Sequence, residues 1–253
     1  MPLDLTASQP QAGQAVLQPR TIVCLGDSLT RGLISASFVD QLEQRMAGQG
    51  LRFINAGVNG DLAYNVLRRL DDVIDLQPDC VILMIGTNDI VATLRRSNTI
   101  ISRVSKWLPR NPSLKWYKTN LLEIVRRLKL ETGAKIALAS PPILGEHLNS
   151  RPNHKAQPYV DFLKETASNQ GLAYLPVYEH MADYLKSTGQ HAGKMHHSRI
   201  YLTAELTLRH IILKESYVSI SRREGFVILT DGLHLNEKGA ALVADVMEKY
   251  LRS

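Results

Sequence analysis

Short continuous apolar runs alternate along the chain with longer segments in which apolar residues recur every three or four positions. These are the signatures of buried strands and of amphipathic helices. The runs TIVCLG (21–26), RFINAG (52–57), DCVILMIG (79–86), KIALAS (135–140), LAYLPV (172–177) and FVILT (226–230) read as strands. DCVILMIG is the clearest, because a run without polar alternation suits a strand covered on both faces. SASFVDQLEQRMAGQG (35–50) reads as a helix, with Ser35 or Ser37 as N-cap and Gly48 or Gly50 near its end. DLAYNVLRRLDDVIDL (61–76) reads as one helix with Leu62, Val66, Leu70, Val73 and Ile74 on one face. A third helix, in PSLKWYKTNLLEIVRRLKLETG (112–133), should break at Gly133, and another falls near 155–169. NEKGAALVADVMEKYL (236–251) closes the chain, packing through Ala241, Leu242, Val246 and Met247.

Strand–helix alternation predicts a parallel sheet with helices on both faces. Ligands of such sheets bind outside the carboxyl ends of the strands, so a motif gains weight where it directly follows a strand. The 253 residues suit a single domain over 21–253, preceded by a mobile polar tail over 1–20. No internal repeat, heptad, Walker A loop, G-x-G-x-x-G fingerprint or paired C-x-x-C is present.

Composition changes this picture little. An apolar fraction of 44% supports a real core and excludes a disordered chain. No apolar run is long enough to span a bilayer, and the N-terminus lacks the basic start and apolar stretch of a secretory signal. The two cysteines, Cys24 and Cys80, each lie inside a strand-like run and read as buried free thiols. Together these features predict a reducing, cytoplasmic location. Charge is more informative. The net charge is +6, yet no Asp or Glu occurs between Ile90 and Leu122, where Arg95, Arg96, Arg103, Lys106, Arg110, Lys115 and Lys118 supply seven cations. Without that segment the remainder carries −1, so the basicity is local (+6 minus +7).

Four polar clusters follow strands: GDS (26–28), NAGVNGD (55–61), GTND (86–89) and DGLHLN (231–236). In a parallel sheet all four meet at one edge. A serine hydroxyl is a weak nucleophile until a base takes its proton, and His234 can do so near neutral pH. Asp231, three residues earlier, shares a side with His234 on a tight turn, where it can fix the imidazole tautomer and stabilise the imidazolium. Gly60 lets the backbone approach a substrate closely, and Asn88 carries an amide donor. Ser28 begins a helix, where unpaired N–H groups favour negative charge.

In order and spacing these clusters resemble the GDSL, or SGNH, hydrolase family, over about residues 21–252. The resemblance implies a flavodoxin-like three-layer α/β/α sandwich with a central parallel sheet, and a cofactor-independent, metal-free serine esterase or lipase. Carried onto this chain, it makes Ser28 the nucleophile and Asp231 and His234 its partners. Ser28 N–H, Gly60 N–H and the Asn88 side chain become the oxyanion donors, with Asp27 supporting the site. The implied substrates are small acyl esters: short-chain esters, lysophospholipids, acyl thioesters or O-acetylated sugars. The same residues permit acyl transfer as well as hydrolysis.

Two regions depart from the compact pattern. Residues of about 186–225, including RIYLTAELTLRHIILKESYV (199–218), intervene where compact members run quickly from the last strand–helix pair to the D-x-x-H aspartate, here Asp231. They form either a lid or pocket wall, or a helix packed elsewhere. His191, His196 and His197 lie there without the companion ligands of a metal site. The basic segment 95–118 also carries Trp107, Trp116 and Tyr117. It is either a solvated face with its aromatics turned inward, or a contact for an anionic headgroup or membrane surface through Arg95, Arg96, Arg103, Lys106 and Arg110. A nucleic-acid partner is not expected. The competing functional reading is a non-catalytic module of the same fold that holds an anionic ligand through this segment.

Overall fold

The computed structural model describes residues 18–188, 219, 221 and 225–253. Most of the expected tail and most of the 186–225 segment, with its three histidines, lie outside the described residues. Five strands, β1 (Arg20–Gly26), β2 (Leu51–Gly57), β3 (Cys80–Met84), β4 (Lys135–Ala139) and β5 (Ala173–Leu175), form one sheet in the order β2-β1-β3-β4-β5. Every pairing is parallel, as the strand–helix alternation predicts. β1 sits between β2 and β3, with Gly26 opposite Gly57 and Met84, so the loops after these three strands leave the sheet side by side.

The helices are α1 (Ser28–Arg31), α2 (Phe38–Arg45), α3 (Ala63–Arg68), α4 (Leu70–Ile74), α5 (Thr87–Ala92), α6 (Arg96–Ser105), α7 (Leu114–Glu131), α8 (Arg151–Gln170), α9 (Val177–Thr188) and α10 (Glu237–Leu251). Helices α2, α9 and α10 pack together, and α3, α4, α7 and α8 form a separate group, giving the three α/β/α layers. The core is continuous through the sheet: β3 is buried at every position, and Phe38, Leu42, Leu121, Leu128, Leu163 and Val243 are excluded from solvent. Cys24 and Cys80 are buried free thiols on adjacent strands. Burial pushes them up to about 12 and about 11, so neither is a reactive thiolate.

Local chemistry explains where elements begin and end. Ser37 is the N-cap of α2, accepting from Asp40 N–H at 3.1 Å, while Ser35 is buried and used elsewhere. α7 stops at Glu131, two residues before Gly133, and the Thr132 hydroxyl donates to Leu128 O at 2.6 Å. The helix expected over 61–76 divides at Arg69, which leaves helical geometry at φ −116°. Its guanidinium binds Asp61 Oδ2 at 2.8 Å and the carbonyls of Gly26 and Ala56 at 3.0 Å each.

The expected strand FVILT (226–230) is not one. Only Leu229 makes a β-bridge, antiparallel to Leu235 across the loop that follows. The reason is electrostatic. The N–H groups of Val227, Ile228 and Leu229 converge on the Glu146 carboxylate, with Oε1 at 3.0, 2.7 and 2.8 Å, instead of pairing with another strand.

Candidate active site

The site is built at the carboxyl ends of β1, β2 and β3. β1 ends at Gly26, where a Cβ would collide with Thr30 Oγ1 and the Met84 carbonyl, so only glycine lets the chain turn into α1. Asp27 caps that turn: its Oδ1 accepts from Leu29 N–H at 3.0 Å. Ser28 is the first residue of α1 and is buried.

His234, 206 residues away, lies with Nε2 3.3 Å from Ser28 Oγ. Its Nδ1 stands 2.7 Å from Asp231 Oδ2. A carboxylate accepts only, so Nδ1 carries a proton, and Nε2 in the neutral tautomer offers a lone pair to the serine hydroxyl. The other Asp231 oxygen accepts from the backbone N–H groups of Leu233 at 2.9 Å and His234 at 2.7 Å. Burial alone would raise the Asp231 carboxyl. Opposing it, the His234 charge, its ring and backbone hydrogen bonds, and the Leu233 N–H together hold the carboxyl below its usual value.

The loop carrying this pair is fixed from three directions. Thr230 N–H donates to His234 O at 2.7 Å, closing the loop on itself. Gly145 N–H donates to Gly232 O at 2.8 Å, and the neighbouring Glu146 holds the residues leading into the loop. From the Ser28 side, Ser35 Oγ accepts from Leu235 N–H at 2.9 Å, and Ala36 N–H donates to Leu235 O at 2.9 Å. Ser35 and Ala36 follow α1 closely, so these bonds tie the serine turn directly to the histidine loop.

The remaining clusters join through side chains. Asn88, in the first turn of α5, donates from Nδ2 to Asp27 Oδ2 at 3.1 Å and to the Asp61 carbonyl at 3.0 Å. Both of its amide hydrogens are therefore engaged, and Asn88 reaches another acceptor by exchanging one of these bonds. Gly60 precedes Asp61 at φ +76°, a left-handed conformation that glycine adopts without strain. Its loop is anchored where Val58 N–H donates to Gly26 O at 3.2 Å. The buried Asp61 carboxylate receives Arg69 Nε at 2.8 Å on one oxygen and Lys106 Nζ at 2.8 Å on the other. Lys106 Nζ also donates to Asn59 O at 2.8 Å. The turn bearing Gly60 is thus bracketed by one ammonium, while Arg69 ties it to the ends of β1 and β2.

Asp89 is fully buried behind the site, and its Oδ2 accepts from Ala63 N–H at 3.0 Å. Burial, opposed by that bond and reinforced by Asp27, pushes its carboxyl up to about 8. The shift favours the neutral acid near pH 7.

Ser28, Asp231 and His234 are thus in mutual reach. Asp27, Asn88 and the Gly60 turn form a second connected group beside them. From the basic segment Lys106 joins this network, and Arg110 stacks over Trp116, 6.0 Å from the ring centroid. Trp116 and Tyr117 are buried, and Trp107 is 90% exposed. In the sequence Glu146, Asp61, Arg69 and Asp89 carry no site role, and Ser35 reads only as a candidate N-cap. The spacing of Asp61 one residue after Gly60, and of Asp89 one after Asn88, was the only local signal. Among the described residues no cluster of His, Cys, Asp and Glu suits a metal, and no helix is long and apolar enough to cross a membrane.

Solved structures share this architecture. The acetylxylan esterase Axe2 from Geobacillus stearothermophilus is 17% identical, with 91% of this chain and 93% of that one covered at a TM-score of 0.65. LAE5, an alpha/beta hydrolase enzyme from the metagenome of Lake Arreo, Spain, is 19% identical, with 91% and 94% covered at 0.63. The lipase/acylhydrolase from Enterococcus faecalis is 21% identical, with 92% and 95% covered at 0.59. No curated protein matches the chain at a significant level. The model of one family matches residues 24–205, a span that begins inside β1 and takes in the serine turn, the Gly60 turn and the Asn88 helix. By that match, and with a sheet and helical layers of the same kind as these solved structures, the chain belongs to the GDSL-like lipase/acylhydrolase family.

Proposed function

We propose that the protein is a serine hydrolase of carboxylic esters that works through an acyl-enzyme. The observation that carries this reading is the line Ser28 Oγ–His234 Nε2 (3.3 Å) and His234 Nδ1–Asp231 Oδ2 (2.7 Å), assembled from opposite ends of the chain. A serine–histidine separation slightly long for a hydrogen bond is normal before substrate binds. The catalytic mutants of Axe2 support it further: they replace a serine, an aspartate and a histidine three residues after the aspartate, the order and spacing of Ser28, Asp231 and His234.

Ser28 Oγ attacks the ester carbonyl carbon as its proton passes to His234 Nε2. Asp231 holds the resulting imidazolium in line. The carbonyl oxygen becomes an oxyanion facing Ser28 N–H, Gly60 N–H and one hydrogen of Asn88, which leaves Asp27 or the Asp61 carbonyl to reach it. One such donor contributes on the order of 3 kcal/mol to the transition state. The tetrahedral adduct collapses, and His234 gives its proton to the departing alkoxide oxygen. Water then attacks the acyl carbon, His234 again takes a proton, and the acid leaves as Ser28 recovers its hydrogen.

The test combines a chromogenic acetyl ester with a fluorophosphonate probe. Turnover and covalent labelling are expected in the native protein, and both vanish in Ser28→Ala. Folded native protein that neither turns over the ester nor takes the label, or labelling that survives Ser28→Ala, overturns the assignment. A series of esters of increasing acyl length, with acetylated sugars and phospholipids included, then identifies the substrate class.

A further inference from the structure

Helix α6 has no buried residue. A ten-residue helix is marginal alone and normally owes its stability to a packed apolar face. Here the apolar face looks outward: Ile100 is 56% exposed, Val104 71% and Trp107 90%. Positions 96, 100, 103 and 104 share one side of α6, and Trp107 follows its last turn. They line an open groove of about 640 Å³ in which Arg96 and Arg103 flank Ile100, Val104, Trp107 and Leu108. Arg96, Arg103 and Arg110 are exposed and make no ion pair among the described residues. The surrounding segment contains no acidic side chain at all.

Trp107 is held outward by the backbone. α6 ends with Leu108 N–H donating to Arg103 O at 2.9 Å and Trp107 N–H to Val104 O at 3.4 Å, a helix-ending turn whose left-handed position is usually glycine. Trp107 occupies that position at φ +51°, a strained conformation for a bulky side chain. The next residue back, Lys106, reaches Asn59 O and Asp61, so the end of this ridge adjoins the Gly60 turn.

We propose that the α6–Trp107 ridge docks on an anionic phospholipid surface. A helix lying in a bilayer interface needs an outward apolar face, an aromatic anchor and flanking cations without neighbouring acids. α6 has all three. Trp107 and Val104 enter the headgroup boundary while Arg96 and Arg103 meet lipid phosphates. Docking there stands on the ridge alone. That it delivers a lipid ester to Ser28 rests on the catalytic reading above.

The chain carries its own probe, since of its two tryptophans Trp107 is exposed and Trp116 is buried. The protein is mixed with vesicles of phosphatidylcholine alone or with about one-third phosphatidylglycerol. Co-sedimentation and a blue shift of tryptophan emission are expected with the anionic vesicles only, and both weaken with added salt. Trp107→Gly separates docking from folding: glycine relaxes the left-handed turn, so the melting temperature holds or rises while vesicle affinity falls roughly tenfold or more. Arg96→Gln with Arg103→Gln reduces binding mainly at low salt. Ser28→Ala binds vesicles as the native protein does, so loss of catalysis is distinguishable from loss of docking. Equal binding to neutral vesicles, unchanged binding by Trp107→Gly, or sedimentation as a dimer that shields Trp107 from a soluble quencher overturns the proposal. So does binding to a soluble polyanion in place of vesicles.

Discussion

Removing the Glu146 carboxylate is expected to damage the histidine loop from below. Glu146 is 6% exposed and accepts from three backbone N–H groups, those of Val227, Ile228 and Leu229, two of which belong to fully buried residues. In Glu146→Ala those two donors lose their carboxylate partner. An orphaned buried donor costs about 1–3 kcal/mol, so the variant loses roughly 2–6 kcal/mol. That is below the stability of most domains, so the protein still folds at room temperature, with a melting temperature lower by roughly 10 °C. Glu146→Gln keeps the volume and one acceptor oxygen, and about 1–2 kcal/mol should be lost. Activity falls further than stability alone dictates, because residues 227–229 lead directly into Asp231 and His234. A displacement of about 1 Å at a reacting group can cost a hundredfold in rate. The assay is thermal unfolding beside kcat and KM for a soluble acetyl ester, below the transition. The expected pattern is a kcat lowered at least about tenfold with KM nearly unchanged. Glu146→Ala melting within about 1 °C of the native protein refutes the energetic argument. A destabilised variant with native kcat refutes the positioning argument and leaves Glu146 a structural residue.

Two further perturbations address the second group of the site. Lys106→Met removes the ammonium that brackets the Gly60 turn but keeps its aliphatic stem, and kcat should fall about tenfold while KM holds; Lys106→Arg should recover part of the loss, and a native kcat in Lys106→Met would show that the turn needs no such support. Asp89→Asn tests the neutral acid: an unfolded aspartate titrates near 4 and the folded one at about 8, so between those values the unfolded chain releases a proton that the folded one keeps. Native stability therefore declines from about pH 4 to about pH 8 on account of this group, and Asp89→Asn should gain on the native protein over that range in urea midpoints; parallel curves would place the Asp89 carboxyl near its ordinary value.

The parts of this molecule legible in the sequence are those whose physics is local. The five parallel strands show as short runs rich in apolar residues, buried throughout in β3 and beyond the first residue in β1 and β4. GDS, GTND and DGLHLN stand out because a serine, an amide and an aspartate three residues before a histidine each follow a run or a turn. FVILT has the same apolar signature as a strand, since a short apolar run says only that side chains are buried. Where its backbone N–H groups go is decided by Glu146, eighty-odd residues away, and nothing nearby marks that partner. Arg69 interrupts a helix without disturbing its apolar spacing, because Val66, Leu70, Val73 and Ile74 stay buried on either side of the break. In the basic segment, aromatic and cationic residues alternate, and the alternation cannot tell inward from outward. Trp116 is fixed inward by Tyr64, with ring centroids 4.9 Å apart, and Trp107 outward by a left-handed turn. The same distinction orders the site itself. The proposed reacting groups can be read from short motifs, because chemistry restricts which residue types serve. The groups that aim them, Glu146, Ser35 and the Asp61–Lys106–Arg69 bridge, act through backbone carbonyls and N–H groups. Many side chains can bind those, so sequence alone does not single them out. On the proposed acyl-enzyme route, substitutions at the aiming residues should spare the reaction of Ser28 with a small fluorophosphonate more than they spare ester turnover, since labelling would need Ser28 and His234 once and turnover would need the loop held through both acylation and deacylation.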